Sequence, residues 1–185
     1  DQVRAFIGTS PWNDRVDLVH EDRLLGTGGT IWANRAYFGG EPMFVAHADN
    51  LTDAGLGRLI DMHAGAGSDI LATLLAFRTA TPQSCGILEL DGKSHVIAFH
   101  EKVANPPVNL ANGAVYVIEN ELTAFISGKP GAFIDLSTEI IPNFVGRIQA
   151  WVTDGYHRDI GTPESLRRAH EEYLVRSAPC VTSDP

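Results

Sequence analysis

Short apolar runs closed by polar turns recur along this chain with helical patterns between them, and that alternation limits the fold to α/β. Met43-Phe44-Val45-Ala46 is one such run. Being continuous, it predicts a buried parallel strand whose carboxyl end carries polar residues, and Asp49 stands there. Asp53 predicts a helix cap, with Leu56, Leu59, Ile60 and His63 on one helix face. Ser68 to Phe77 reads as a further buried strand. Gly86 to Leu90, the turn Asp91-Gly92-Lys93 and His95 to Glu101 read as a β-hairpin. Gly113 to Ile118 and Arg147 to Val152 read as strands. Glu121 to Ile126 and Ser137 to Phe144 read as short helices, the second broken near Pro142. Thr162-Pro163-Glu164-Ser165 opens a last helix that runs to about Arg176. Upstream, Arg15 to His20 predicts a strand that leads through Gly26-Thr27-Gly28-Gly29 into a helix containing Ile31, Trp32 and Ala36. The expectation is a mixed sheet flanked by helices in a single domain, residues 1–176, with a flexible tail at 177–185.

A chain of 185 residues that is 44% hydrophobic can bury one substantial core. Its formal net charge of −9 disfavours extended nucleic acid and anionic membrane as partners. The longest apolar run, Ile70 to Phe77, is too short to span a bilayer, and no apolar signal segment opens the chain. Cys85 and Cys180 lie far apart, which fits a reducing compartment, and cytoplasm is the expected location. Asn50-Leu51-Thr52 matches a glycosylation sequon and reads as chance without a secretory signal.

Several residues can carry chemistry. The loop Gly26 to Gly29 lets backbone amides approach an anion at a helix start. It lacks the third glycine of a dinucleotide fingerprint and the Gly-Lys-Ser/Thr of a phosphate loop; by itself it reads first as a plain strand-to-helix turn. Asp49 and Asp159 both fall at polar turns where carboxylates could project from one sheet edge and hold Mg²⁺, though helix capping explains each singly as well. His47-Ala48-Asp49 and His157-Arg158-Asp159 share a His-x-Asp spacing that puts both side chains on one face of an extended segment. That spacing allows a metal-dependent hydrolase as a rival reading. Glu101 and Lys102 end the hairpin, and Asn105-Pro106-Pro107 would bring Asn112 and Gly113 back beside them as a polar floor for a sugar ring.

In order, Leu25-Gly26-Thr27-Gly28-Gly29, Ala48-Asp49-Asn50, Glu101-Lys102-Val103, Asn112-Gly113-Ala114-Val115-Tyr116 and Gly155-Tyr156-His157-Arg158-Asp159-Ile160-Gly161-Thr162-Pro163 resemble the successive motifs of sugar-1-phosphate nucleotidyltransferases. Within that family the series is most similar to mannose-1-phosphate and manno-heptose-1-phosphate guanylyltransferases. The resemblance implies a Rossmann-like, mainly parallel sheet with the hairpin as an insertion. It implies that Asp49 and Asp159 bind Mg²⁺, that Gly26, Thr27, Gly28 and Gly29 lie along base and ribose, and that Glu101, Asn112 and Gly113 contact the sugar. Lys102 would grip the sugar phosphate. The substrates implied are a nucleoside triphosphate, GTP first, and a sugar 1-phosphate; a nucleotide-sugar binding module without catalysis is the alternative, and assembly into a homo-oligomer is open. Ala48, His47 and His157 depart from the family pattern, His157 standing where tryptophan is usual. The family's opening strand and Gly-x-Gly-x-Arg loop, which hold the triphosphate, are expected ahead of Asp1, which makes this chain the back portion of the domain.

Overall fold

The computed structural model describes residues 2–126 and 133–177; of the expected tail only Ser177 falls among them, and Cys180 lies outside. Six strands form the main sheet: β1 (Met43–Ala46), β3 (Ala72–Arg78), β4 (Gly86–Leu90), β5 (Val96–Glu101), β6 (Leu110–Ile118) and β7 (Ile148–Val152). Two three-residue strands, β2 (Asn50–Thr52) and β8 (His157–Asp159), pair separately. The helices are α1 (Gln2–Thr9), α2 (Gly26–Ala33), α3 (Leu56–Ala64), α4 (Asn120–Ile126) and α5 (Pro163–Ser177).

β3 is parallel to β7, and β6 runs antiparallel to β1, β3 and β4. It follows that β1, β3, β4 and β7 share one direction while β5 and β6 oppose it, so the sheet is mixed with one prevailing sense. β3 is buried on both faces from Ala72 to Ala76, which explains its largely apolar sequence. Leu74 joins Ile31, Met43, Tyr116, Leu122 and Ile148 on one side. Leu75 points the other way, with Val115, Val117 and Leu59 of α3. Burying each of these leucines contributes about 1.5–3 kcal/mol.

The hairpin forms as expected, in register from Gly86 opposite Glu101 to Leu90 opposite Val96. Asp91 fixes its turn by accepting the Lys93 and His95 amides, both at 2.8 Å. Several other expectations are corrected. Arg15 closes a 3-10 turn and residues 16–20 join no strand; Val16, Leu18 and Val19 are exposed, and β-propensity without a partner edge makes no ladder. β1 is a strand, but its partner β6 is antiparallel and only Met43 is buried, because β1 pairs along one edge alone. Asp53 does not cap α3, which begins after Gly55 without a side-chain cap. Asp53 instead accepts the Tyr156 amide across the fold and meets Arg176. The helix expected at Ser137 to Phe144 is a π turn, Leu136–Ile140, followed by a 3-10 turn, Ile141–Phe144; Pro142 cannot donate the amide a continuous α-helix needs.

Candidate active site

β6 is longer than its neighbours and serves two of them along a single edge. β3 takes one edge of β6 over its whole length. On the other edge β4 meets Ala111, and β1 meets Val115 to Ile118. Between those two contacts neither β4 nor β1 pairs with β6, and the strand bulges there: Leu74 faces Tyr116, whereas Ala76 faces Asn112. Gly113 and Ala114 occupy the bulge. Gly113 is there because a Cβ would stand 2.3 Å from Leu75 Cδ2. Ala114 adopts φ +51 and Lys102, at the end of β5, φ +49, a left-handed conformation that costs a non-glycine residue energy.

Hydrogen bonds pin this strained floor. Asn112 accepts the Ala114 amide at 3.0 Å and donates to the Tyr116 hydroxyl at 2.8 Å. Burial pushes the Tyr116 phenol up to about 12, so it stays neutral. Asn50 of β2 donates to the Gly113 carbonyl at 3.0 Å, and the His47 amide donates to the Ala114 carbonyl at 3.1 Å. With its amide engaged in this way, Asn50 serves the floor.

Above the bulge lies a cavity of about 190 Å³ whose walls include Glu101, Lys102, Asn112, Gly113 and Asp159. Five residues from three separate sequence motifs thus meet at one place. The Glu101–Lys102 pair, 3.7 Å apart, sits at its rim with Lys102 largely exposed. Asp49 reaches the same edge from β1. In the β2–β8 ladder Asn50 lies opposite Asp159, and the Ile160 amide donates to the Asp49 carbonyl at 2.7 Å. A Cβ at Gly161 would stand 3.0 Å from Asp49 Oδ2 and 3.1 Å from Asp159 Oδ1, so the carboxylates flank one point that glycine keeps clear. Asp159 also accepts the Gly161 amide at 2.7 Å. The helix cap falls to Thr162, which accepts the Ser165 amide at 3.1 Å. Two exposed carboxylates on either side of one glycine could hold Mg²⁺, which fills its remaining positions with water and phosphate oxygens.

The glycine-rich segment stands elsewhere. Gly26 to Gly29 form the first turn of α2, where the Gly28 and Gly29 amides donate to the Ile134 carbonyl at 2.9 and 3.1 Å. Gly26 adopts φ +73, and a Cβ there would lie 2.5 Å from that same oxygen. Thr27 accepts the Leu136 amide at 2.8 Å. The segment braces residues 134–136, and Ser137, the next residue along, lines the cavity.

His157, which stands where tryptophan is usual in the family, forms a wall of the cavity. Its ring lies 4.6 Å from that of Phe77. Burial pulls its imidazole down to about 4, against the opposing pull of Asp159 and the Gly113 backbone. The motif placed His157 at the right position; only the bulge at Gly113 shows what it borders. His47 lines the cavity as well, but among the described residues no group of three or more His, Cys, Asp and Glu converges on one point.

Residues 6–176 match the model of the nucleotidyl transferase family. The chain belongs to that family. It is similar to a mannose-1-phosphate guanylyltransferase of Mycobacterium tuberculosis, 30% identical over 169 residues that cover 89% of this chain and 46% of that protein. A glucose-1-phosphate adenylyltransferase of Thermotoga neapolitana is 26% identical over 175 residues, 89% of this chain and 41% of that one. The chain therefore spans less than half the length of these curated relatives. Among solved structures, HddC from Yersinia pseudotuberculosis complexed with GMP-PN has the same fold, with TM-score 0.74 and 24% identity over 93% of this chain and 73% of that one. A putative glucose-1-phosphate thymidylyltransferase from Bacillus anthracis gives TM-score 0.78 at 21% identity, over 95% and 72% of the two chains. No helix among the described residues is long and apolar enough to cross a membrane.

Proposed function

We propose that the protein containing this chain transfers a nucleoside monophosphate, taken from GTP, to a sugar 1-phosphate of mannose or manno-heptose type, with release of pyrophosphate. The observation that carries this reading is the single cavity joining Glu101, Lys102, Asn112, Gly113 and Asp159, with Asp49 facing Asp159 at its edge. GTP is favoured by likeness to a relative named as a guanylyltransferase.

The attacking group is the sugar phosphate. Its second pKa is near about 6, so it is largely dianionic at neutral pH and needs no general base. The barrier is the repulsion between two anions and the charge that grows on the leaving pyrophosphate. Lys102, held at the rim in a fixed backbone conformation, binds and orients the attacking phosphate. Glu101 accepts from sugar hydroxyls, and the Gly113 backbone forms the floor beneath the ring. Asp49 and Asp159 would hold Mg²⁺, which supplies positive charge to the phosphates when bound. His157, kept neutral by burial, borders the far side of the sugar chamber without adding charge.

Pyrophosphate release by the full-length protein with GTP and mannose 1-phosphate tests the reading. Asp49→Asn and Asp159→Asn should each cut kcat at least 100-fold, and Lys102→Ala should chiefly raise KM for the sugar phosphate. Near-normal rates in both aspartate variants remove the metal assignment. Tight binding of a nucleotide sugar with no pyrophosphate release under any condition makes the protein a binding module.

A further inference from the structure

The sugar chamber does not end at His157. A second cavity of about 500 Å³ lies beyond it and shares Phe77, Ser84, Cys85, His157 and Asp159 with the first. The imidazole of His157 stands between the two, against the Phe77 ring, and its buried Nδ1 has no hydrogen-bond partner among the described residues. The first cavity, about 190 Å³, is smaller than the roughly 300–1,000 Å³ usual for small-molecule sites. Joined to the second, it falls within that range.

The second cavity differs in charge from the chain as a whole, whose net charge is −9. Arg78, Arg158 and Arg168 border it, with Asp159 as the acidic lining residue. Arg158 is committed to Glu172, donating Nε at 2.9 Å and Nη2 at 2.6 Å. Arg78 instead donates Nη1 to the neutral amide oxygen of Asn109 at 3.2 Å. Arg168 meets Glu164 through Nε at 2.9 Å. A guanidinium carries five N–H donors, so both arginines have donors beyond these bonds. Thr79, Thr81 and Ser165 add hydroxyls to the wall, and the start of the 15-residue helix α5 adds the positive end of a helix dipole. Guanidinium and hydroxyl donors with a helix start suit a compact oxyanion.

We propose that the sugar 1-phosphate used here carries a second anionic group, a carboxylate or a phosphate, on the end of the sugar remote from C1, and that Arg78 and Arg168 hold it in the cavity past His157. This rests on reading the first cavity as the sugar site. The second anion takes no part in bond making; it orients the ring between Lys102 on one side and the arginines on the other. Arg78 is then a residue that determines specificity.

The test is pyrophosphate release by the full-length protein, supplied in turn with each of the four common nucleoside triphosphates. The acceptors are mannose 1-phosphate, mannuronic acid 1-phosphate, mannose 1,6-bisphosphate and a neutral seven-carbon manno-heptose 1-phosphate. The expected result is a kcat/KM at least 10-fold higher for one of the two doubly anionic sugars, and which one identifies the group as carboxylate or phosphate. Arg78→Gln should lower kcat/KM for that sugar, through KM, at least 10-fold more than for mannose 1-phosphate, and Arg78→Lys should restore part of it. Equal use of all four sugars, or preference for a neutral one, overturns the anion site and leaves nucleotidyl transfer standing. Release with none of them overturns both.

Discussion

Exchanging the side chains of two neighbours in the β6 bulge should change stability in opposite directions. In Gly113→Ala the new methyl would lie 2.3 Å from Leu75 Cδ2, 3.1 Å from the Leu75 carbonyl and 3.2 Å from His157 Nε2. Leu75 is fully buried, so it has nowhere to retreat, and the carbonyl belongs to the central strand β3. Overpacking of this kind costs about 1–3 kcal/mol, and the backbone contact puts this variant toward the upper end. Ala114→Gly works the other way. Alanine at φ +51 bears a left-handed penalty of roughly 1–2 kcal/mol, and glycine there returns about 0.5–1 kcal/mol of that as extra chain entropy in the unfolded state, leaving a gain of about 0.5 kcal/mol. Urea unfolding followed by circular dichroism reads both changes. With a slope of about 2 kcal/mol/M, the first variant lowers the midpoint by about 1 M and the second raises it slightly, with slopes unchanged. A Gly113→Ala midpoint within about 0.25 M of the parent would refute the packing of Leu75 against the bulge.

Other outcomes follow from the same geometry. In Gly86→Ala a methyl would meet Phe99 at 2.6 Å and Glu101 Oε2 at 2.7 Å, so KM for the sugar phosphate should rise several-fold with little change in kcat. The fold holds His157 with its imidazole near about 4, below the 6.5 of a free histidine. The unfolded chain therefore takes up the proton first as pH falls, and this contribution to stability is complete above about 6.5 and lost on descent toward 4. Replacing His157 with Phe should flatten the stability–pH curve across that window by on the order of 1 kcal/mol, and an unchanged curve counts against burial as the cause. The chain from Gln149 through Thr73 to His63 and Glu119, with links of 2.9, 2.8 and 3.2 Å, is buried at its centre. His63→Leu should cost about 1–3 kcal/mol by leaving Thr73 short of a partner, whereas Thr73→Val together with His63→Leu should recover part of that loss.

The sequence signalled most strongly where local pattern and burial agree. β3, the β4–β5 hairpin and α5 follow directly from a largely apolar run, turn residues and a Thr162 cap. Residues 16–20 misled because Val16, Leu18 and Val19 have strand propensity but no edge to pair with. Pro142 marked a break correctly, although the π turn before it has no sequence signature. In the site, the ordered motifs marked Glu101, Lys102, Asn112, Gly113, Asp49 and Asp159, and five of these share a cavity. What no periodicity could reveal was the two-residue register change in β6, since a bulge depends on which neighbours pair on either side. That change turns Asn112 inward to Tyr116 and brings His157 to the chamber wall.

The shared edge of β6 divides labour in a way that bears on how such a protein can diversify. The hairpin reaches β6 through Ile87 opposite Ala111, while the carboxylates ride on β1 and on the β2–β8 ladder. New side chains at the open end of the hairpin, around Cys85, Gly86 and Glu101, would remodel the chamber wall around the acceptor and leave Asp49 and Asp159 in register. Acceptor preference can thus drift by small, tolerated steps, whereas the chemistry is anchored to a ladder only three residues long, where a single slip would part the carboxylates.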